Sequence, residues 1–283
     1  MEKGCYNGWG IDISDPLKGR VNKPRNKGLT MVLDKGVGPG ELRDILKIAG
    51  DYIDILKFTF GTSLLYPDKV LCDKIKIALE YNINVYPGGT LFEVALNQSK
   101  INDFLFRAKQ LGFTAIEISN GTIDISPKLR RETIYKANSL GFKVFTEVGK
   151  KDKADALTVE EMQYQIKDDI SAGAYRIIIE GRESGRGVSI YHEDGSIDMG
   201  MVDDILVTVG SNRDILLWEA PLKKQQLSLI RKLGSNVNLG NIAVDEVLAL
   251  ETLRRGLRGD TFKFSLKDKG SEDNRIKGDR VGA

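Results

Sequence analysis

Four glutamates, Glu117, Glu147, Glu180 and Glu219, each sit within or just past a short apolar run. Carboxylates gathered in one place repel one another unless a cation lies among them or lysines and arginines pair with them. The chain has one histidine and two cysteines, so nitrogen and sulfur ligands are scarce. An all-oxygen set of this kind suits Mg2+. For any single glutamate an ion pair with a neighbouring Lys or Arg serves equally well; the four together favour a metal. Lys35, Lys57 and Arg182 stand at comparable positions and could hold a phosphate or carboxylate through charge-assisted hydrogen bonds. Gly88 and Gly89 lead directly into a helical segment, whose free N-terminal amides favour an anion. Asn238 and Asn241 flank Leu239-Gly240 at the close of the last apolar run, where a barrel often binds phosphate. Lys57 and Lys151 are also the lysines that a Schiff-base aldolase would use as amine nucleophiles.

These residues need a frame that brings distant segments to one place. Apolar runs with strand character span Leu29 to Leu33, Ile53 to Phe58, Asn84 to Tyr86 and Ala115 to Ile118. They recur over Lys143 to Thr146, Arg176 to Ile179, Ile215 to Trp218 and Asn236 to Leu239, each followed by a segment of helical periodicity. Eight such units, with strand interiors apolar on both faces, predict an α/β fold, a single (β/α)8 TIM barrel over residues 28–264. An open doubly wound sheet is the weaker alternative, because no G-x-G-x-x-G opens a first helix. Residues 1–27 and 265–283 are polar and read as short, loosely held extensions. In such a barrel the active site lies at the C-terminal strand ends, which is where the glutamates fall.

Local signals refine the reading. Thr90 with Glu93 and Thr158 with Glu161 match the T-x-x-E capping box, so both glutamates are expected to be helix caps. The Glu183 to Gly187 loop could close over a ligand. Arg254, Arg255 and Arg258 fall far along the last helix and are expected near the bottom of the barrel in a structural or interface role. His192 lies in a polar turn and is given no role.

The 283 residues carry 42 Lys and Arg against 40 Asp and Glu, a net charge of +2, without the basic excess typical of nucleic-acid or anionic-membrane binding. Cys5 and Cys72 lie far apart, which fits a reducing cytoplasm. No apolar run approaches the ~18 residues of a membrane span.

The strings G-L-T-M-V-L-D-K-G, V-Y-P-G-G-T-L-F-E, T-E-V-G-K-K, I-I-E-G-R-E-S-G, W-E-A-P, Q-Q, N-V-N-L-G-N-I and L-E-T-L-R-R-G-L-R-G-D-T-F follow one another in that order. Through them, from Gly28 to about Phe262, the chain closely resembles the phosphosulfolactate synthase family. The resemblance implies Mg2+-dependent addition of sulfite to phosphoenolpyruvate, giving (2R)-2-phospho-3-sulfolactate. It implies Lys151 as general acid and Glu117, Glu147, Glu180 and Glu219 as the acidic rim. Small anionic substrates, no nucleic acid, no membrane and a homo-oligomer are the expected partner profile. Two departures are visible, Asn120 where many relatives have Asp and Gly240 where alanine is common. Because the family also has plant members associated with heat tolerance, a non-catalytic stress protein is the remaining alternative.

Overall fold

A computed structural model of the chain describes residues 9, 11–264 and 266. Eight parallel strands alternate with helices: β1 (Thr30–Asp34), α1 (Pro39–Ala49), β2 (Ile55–Phe58), α2 (Asp68–Glu80), β3 (Asn84–Pro87), α3 (Gly89–Asn97), α4 (Ile101–Leu111) and β4 (Ala115–Ile118). The order continues with α5 (Pro127–Ser139), β5 (Lys143–Val148), α6 (Val159–Ser171), β6 (Arg176–Ile179), α7 (Met199–Val209), β7 (Leu216–Glu219), α8 (Lys223–Leu233), β8 (Leu239–Ala243) and α9 (Val247–Arg255). The strands pair in the order β3-β2-β1-β8-β7-β6-β5-β4. β3 and β4 close the ring more loosely: the Thr114 amide donates to the Val85 carbonyl at 3.1 Å, and the Val85 amide to the Thr114 hydroxyl at 3.0 Å. This is the (β/α)8 barrel expected from the strand and helix pattern.

The two-residue period of a strand explains both the core and the site. Outward side chains such as Val32, Leu56, Val85, Ile116, Val144, Ile177 and Trp218 pack against the helices in one large core. Inward side chains Met31, Ile55, Tyr86, Ala115, Phe145, Ile178 and Leu217 form a second core that fills the barrel. Two residues further along the same inward rows stand Lys57, Glu117, Glu147, Glu180 and Glu219. The apolar plug is therefore the floor of the site, and the charged residues are the next layer above it.

The expected position of the last strand is corrected. β8 begins at Leu239, whose amide donates to the Leu29 carbonyl at the start of the barrel. Asn238 thus lies at the bottom: its Oδ1 accepts from the Leu29 amide at 2.9 Å, and its amide nitrogen donates to the Asp214 and Leu216 carbonyls. It pins three strand entrances together and touches no ligand site. The polar-apolar alternation of Asn236 to Asn238 mimics a strand, but it is the turn that enters one.

The N-terminal extension is also less loose than its composition suggests. The Arg20 side chain is buried against Glu251 at 2.9 Å, Arg25 meets Asp54 at 2.7 Å, and the Leu17 amide donates to the Arg255 carbonyl. The segment from Asp15 onward covers the bottom of the barrel because Glu251 and Asp54 there need cationic partners. The tail expected over 265–283 lies outside the described residues except for Leu266.

Arg254 has the structural role expected of it. Its buried guanidinium donates to the carbonyls of Ser235, Val237 and Leu29 at 2.6, 2.7 and 3.2 Å. Arg254→Ala would take the guanidinium donor from the Ser235 and Val237 carbonyls and leave a new cavity beside them. It should lower unfolding stability by about 3 kcal/mol or more, read in urea melts, while the folded fraction keeps its turnover per site.

Candidate active site

All four rim glutamates are buried, but their placement divides them into two kinds. Lys57 Nζ stands among them, 2.9 Å from Glu117 Oε2, 3.2 Å from Glu219 Oε1 and 3.8 Å from Glu147 Oε2. The other Glu117 oxygen accepts the Gly89 amide at 2.7 Å. Glu147, Glu180 and Glu219 each turn an oxygen to a common point, with those oxygens all within 4.8 Å of one another. Glu219 accepts the Gly181 amide at 2.9 Å, and Glu180 accepts the Arg182 amide at 2.5 Å. The second Glu180 oxygen is buried and has no hydrogen-bond partner. An orphaned carboxylate oxygen beside two further carboxylates is a donor set that fits a hard divalent cation. Glu117 stands outside that set.

The electrostatics follow from this packing. Burial and the neighbouring charges of Glu147 and Glu219 push the Glu180 carboxyl well above the usual carboxylate range. Glu147 goes the other way, down to about 2: burial opposes its charge, but the Lys151 and Lys57 ammoniums, with the nearby Glu180 carboxyl and Ser119 hydroxyl, outweigh it. Burial raises Glu117 to about 7 against the pull of Lys57. Lys57 is held well above its ordinary value because Glu117 and Glu219 overcome its desolvation. Lys151 is raised against its own burial by Glu147 and Glu180. Both lysines are therefore ammonium ions at neutral pH.

Lys151 reaches the cavity because Gly121 leaves it room; a Cβ there would lie 3.0 Å from Lys151 Cε. Its Nζ donates to Thr90 Oγ1 at 3.1 Å and stands 3.7 Å from Glu93 and 3.8 Å from Glu147. The adjacent Lys150 is spent elsewhere, on the Asn120 carbonyl at 2.9 Å and Asp124 at 2.7 Å. Lys57, Gly88, Gly89, Glu117, Glu147, Lys151, Glu180, Arg182, Glu219 and Asn241 all line one cavity of about 300 Å3. Asn241 has a left-handed φ of 56°, donates to the Arg182 carbonyl at 3.1 Å, and keeps a buried oxygen without a partner.

Several expected roles change. Lys35 is absent from the cavity wall; it pairs with Glu183, which does line it. Gly88 and Gly89 do not offer their amides to a ligand, since these donate to the Phe58 carbonyl and to Glu117. The glycines serve close approach: a side chain at Gly89 would collide with Glu117 and Ser119. Asn120 faces Arg130 and Gln165 through its Oδ1, so the missing charge there removes no cavity carboxylate. Gly240 lets Met31 and Leu217 pack across it, where a Cβ would come within 2.5 Å of both. The Glu183 to Gly187 loop is pinned, with the Gly185 carbonyl accepting from the buried Gln225 at 2.6 Å.

Glu161 is the cap it was expected to be, exchanging hydrogen bonds with Thr158. Glu93 is not. The glycine pair starts α3 one residue before Thr90, so Gly88 is the N-cap and Glu93 turns inward. Its carboxylate accepts from Ser119 Oγ at 2.5 Å and from the amides of Thr122 and Ile123 at 2.8 and 3.0 Å. Ser119 Oγ in turn lies 2.8 Å from Glu147. A glutamate on the apolar face of a helix was the signal that could have revealed this. Glu93→Gln should therefore lower turnover roughly 10-fold or more by loosening Lys151 and Glu147. Thr158→Ala should instead cost about 1 kcal/mol of stability and no turnover. Steady-state rates and denaturant melts on both variants distinguish the two roles, and equal rate losses would contradict them.

Comparison with known proteins adds what geometry alone does not. The phosphosulfolactate synthase of Methanocaldococcus jannaschii is 49% identical over 238 residues, covering 83% of this chain and 94% of that protein. The phosphosulfolactate synthase of Bacillus subtilis is 43% identical over 256 residues, covering 89% and 98%. Among solved structures, the N-acetylneuraminate lyase of Mycoplasma synoviae superposes with a TM-score of 0.51 at 12% identity, over 90% of this chain and 81% of that one, a likeness of fold alone. The family described as (2R)-phospho-3-sulfolactate synthase (ComA) matches residues 18–260. With that match, and with relatives sharing more than two fifths of their residues along nearly their whole length, the chain is an enzyme that belongs to the phosphosulfolactate synthase family.

Proposed function

We propose that the chain catalyses the Mg2+-dependent addition of sulfite to phosphoenolpyruvate, giving (2R)-2-phospho-3-sulfolactate. The observation that carries this is the buried trio of Glu147, Glu180 and Glu219, one oxygen of it unsatisfied, facing the Lys151 ammonium across a single small cavity. Glu147, Glu180 and Glu219 would hold the cation. When bound, it supplies positive charge next to the substrate carboxylate as negative charge builds there.

The chain's own residues do the rest. Both substrates are anions that repel, and Lys57, Lys151 and Arg182 offset that repulsion at the cavity wall. The sulfur lone pair of sulfite forms the C3–S bond, and the C2–C3 π electrons shift toward C2 and the carboxylate. Lys151 then gives a proton to C2, completing the addition. It is an ammonium held by Glu147 and Glu180, so the proton is in place. The same fact disfavours a Schiff-base aldolase, whose nucleophile must be a neutral amine; Lys57 and Lys151 are both held charged.

The test is formation of the phosphorylated sulfonate from phosphoenolpyruvate and sulfite, followed by phosphorus NMR with and without EDTA. Product that appears with Mg2+ and vanishes on chelation is the expected result. No product with Mg2+ present would leave the family's chemistry without support in this member.

A further inference from the structure

A second cavity, of about 540 Å3, opens above the first and shares two walls with it, Lys151 and Arg182. Its remaining polar lining includes Lys153, Arg186, Asp152, Asp155 and Glu193. The carboxylates there are mostly occupied. Glu193 pairs with Lys153 at 2.9 Å, and Asp152 accepts the Ala154 amide at 2.9 Å. The arginines are not. The Arg186 side chain has no hydrogen bond or ion pair among the described residues, and the Arg182 guanidinium donates only to the Lys151 carbonyl, at 3.1 Å.

Arg182 is also held in a costly backbone conformation. Its φ is 55°, in the left-handed region that a side chain disfavours. Glu180 takes its amide and Asn241 supplies a donor to its carbonyl, so the cavity residues themselves enforce the geometry. The guanidinium, donating to the Lys151 carbonyl, lines both cavities.

We propose that the outer cavity is a separate oxyanion subsite, with Arg186 and Arg182 as its cations, which receives sulfite while phosphoenolpyruvate occupies the inner one. This rests on the addition reaction proposed above. Two guanidiniums without carboxylate partners suit a small dianion, because their planar donor forks match oxyanion geometry. Position suits the chemistry as well: an anion held there meets the substrate on the side that Lys151 lines.

Arg186→Gln touches no packed group, so its fold is not at stake. It should raise the KM for sulfite at least 10-fold and move the KM for phosphoenolpyruvate less than 2-fold. Sulfate, which has the charge but not the nucleophilic lone pair, should inhibit competitively against sulfite and not against phosphoenolpyruvate at constant ionic strength. Arg43→Gln, which removes an exposed arginine on α1, controls for net charge and should match wild type. An unchanged sulfite KM, an equal rise in both KM values, an equal effect of Arg43→Gln, or sulfate competing only with phosphoenolpyruvate would each overturn the subsite. If the protein does not turn over these substrates at all, calorimetric titration with sulfate decides separately. Binding weakened at least 10-fold by Arg186→Gln would keep the oxyanion site while the addition reaction falls; no sulfate binding by wild type would remove the site.

Discussion

Lys151→Met is expected to lower turnover by roughly 100-fold or more while phosphoenolpyruvate binding stays within a few-fold of wild type. Methionine keeps much of the aliphatic stem beside Gly121 and removes the one cavity-lining lysine ammonium, among the described residues, with no carboxylate oxygen closer than 3.7 Å. Lys57 cannot replace it, since Glu117 and Glu219 hold it at 2.9 and 3.2 Å. Lys150 is tied to Asp124 and the Asn120 carbonyl. Lys151→Arg separates acid from mere charge. A guanidinium, with a pKa above about 12, is a poor proton donor near neutral pH, so this variant should be almost as slow as Lys151→Met. Single-turnover rates with substrate binding measured in parallel make the comparison. If Arg restores most of kcat, Lys151 acts through its charge and the proton has another source.

The second large effect concerns the cation and a proton. Glu180 is held well above the ordinary carboxylate range without a metal, so a divalent cation must displace its proton, whereas Glu147, near 2, has none to give. Mg2+ binding should therefore release up to one proton, seen as a buffer-dependent heat in calorimetry, and its affinity should rise with pH until Glu180 ionises unaided. Glu180→Gln should abolish the proton release and weaken Mg2+ binding on the order of 100-fold. The sign for folding is opposite. A carboxyl raised in the folded state destabilises it as pH climbs from the unfolded value, about 4.3, through the folded one. Metal-free Glu180→Gln should then be more stable than metal-free wild type at neutral pH, by a few degrees in melting temperature. A wild-type protein that binds Mg2+ without proton release, and a variant that melts lower in EDTA, would contradict the protonated Glu180.

The barrel was legible along the chain because its two periodicities are local. Inward and outward residues alternate within each strand, and the helices between them announce themselves by caps such as Thr158 with Glu161 and by glycines such as Gly112 that leave the helix left-handed. The layer of glutamates was legible for the same reason, since each lies on an inward row two residues beyond an apolar plug residue. What the sequence could not carry was distance across the ring. Whether Glu117 belongs with the other three depends on where Lys57 and the Gly89 amide fall, two groups on different strands' ends. The T-x-x-E pattern at Thr90 and Glu93 is indistinguishable from a cap until the helix start is placed, and only the packing of α3 against β4 turns Glu93 inward. Asn238 and Asn241 are three residues apart yet lie at opposite ends of the barrel, because β8 begins between them. Residue types and their rows follow from local chain geometry; which charges pair, which remain unsatisfied and which face a ligand were decided by the closure of the barrel, where Coulomb energies change sharply over a few ångströms.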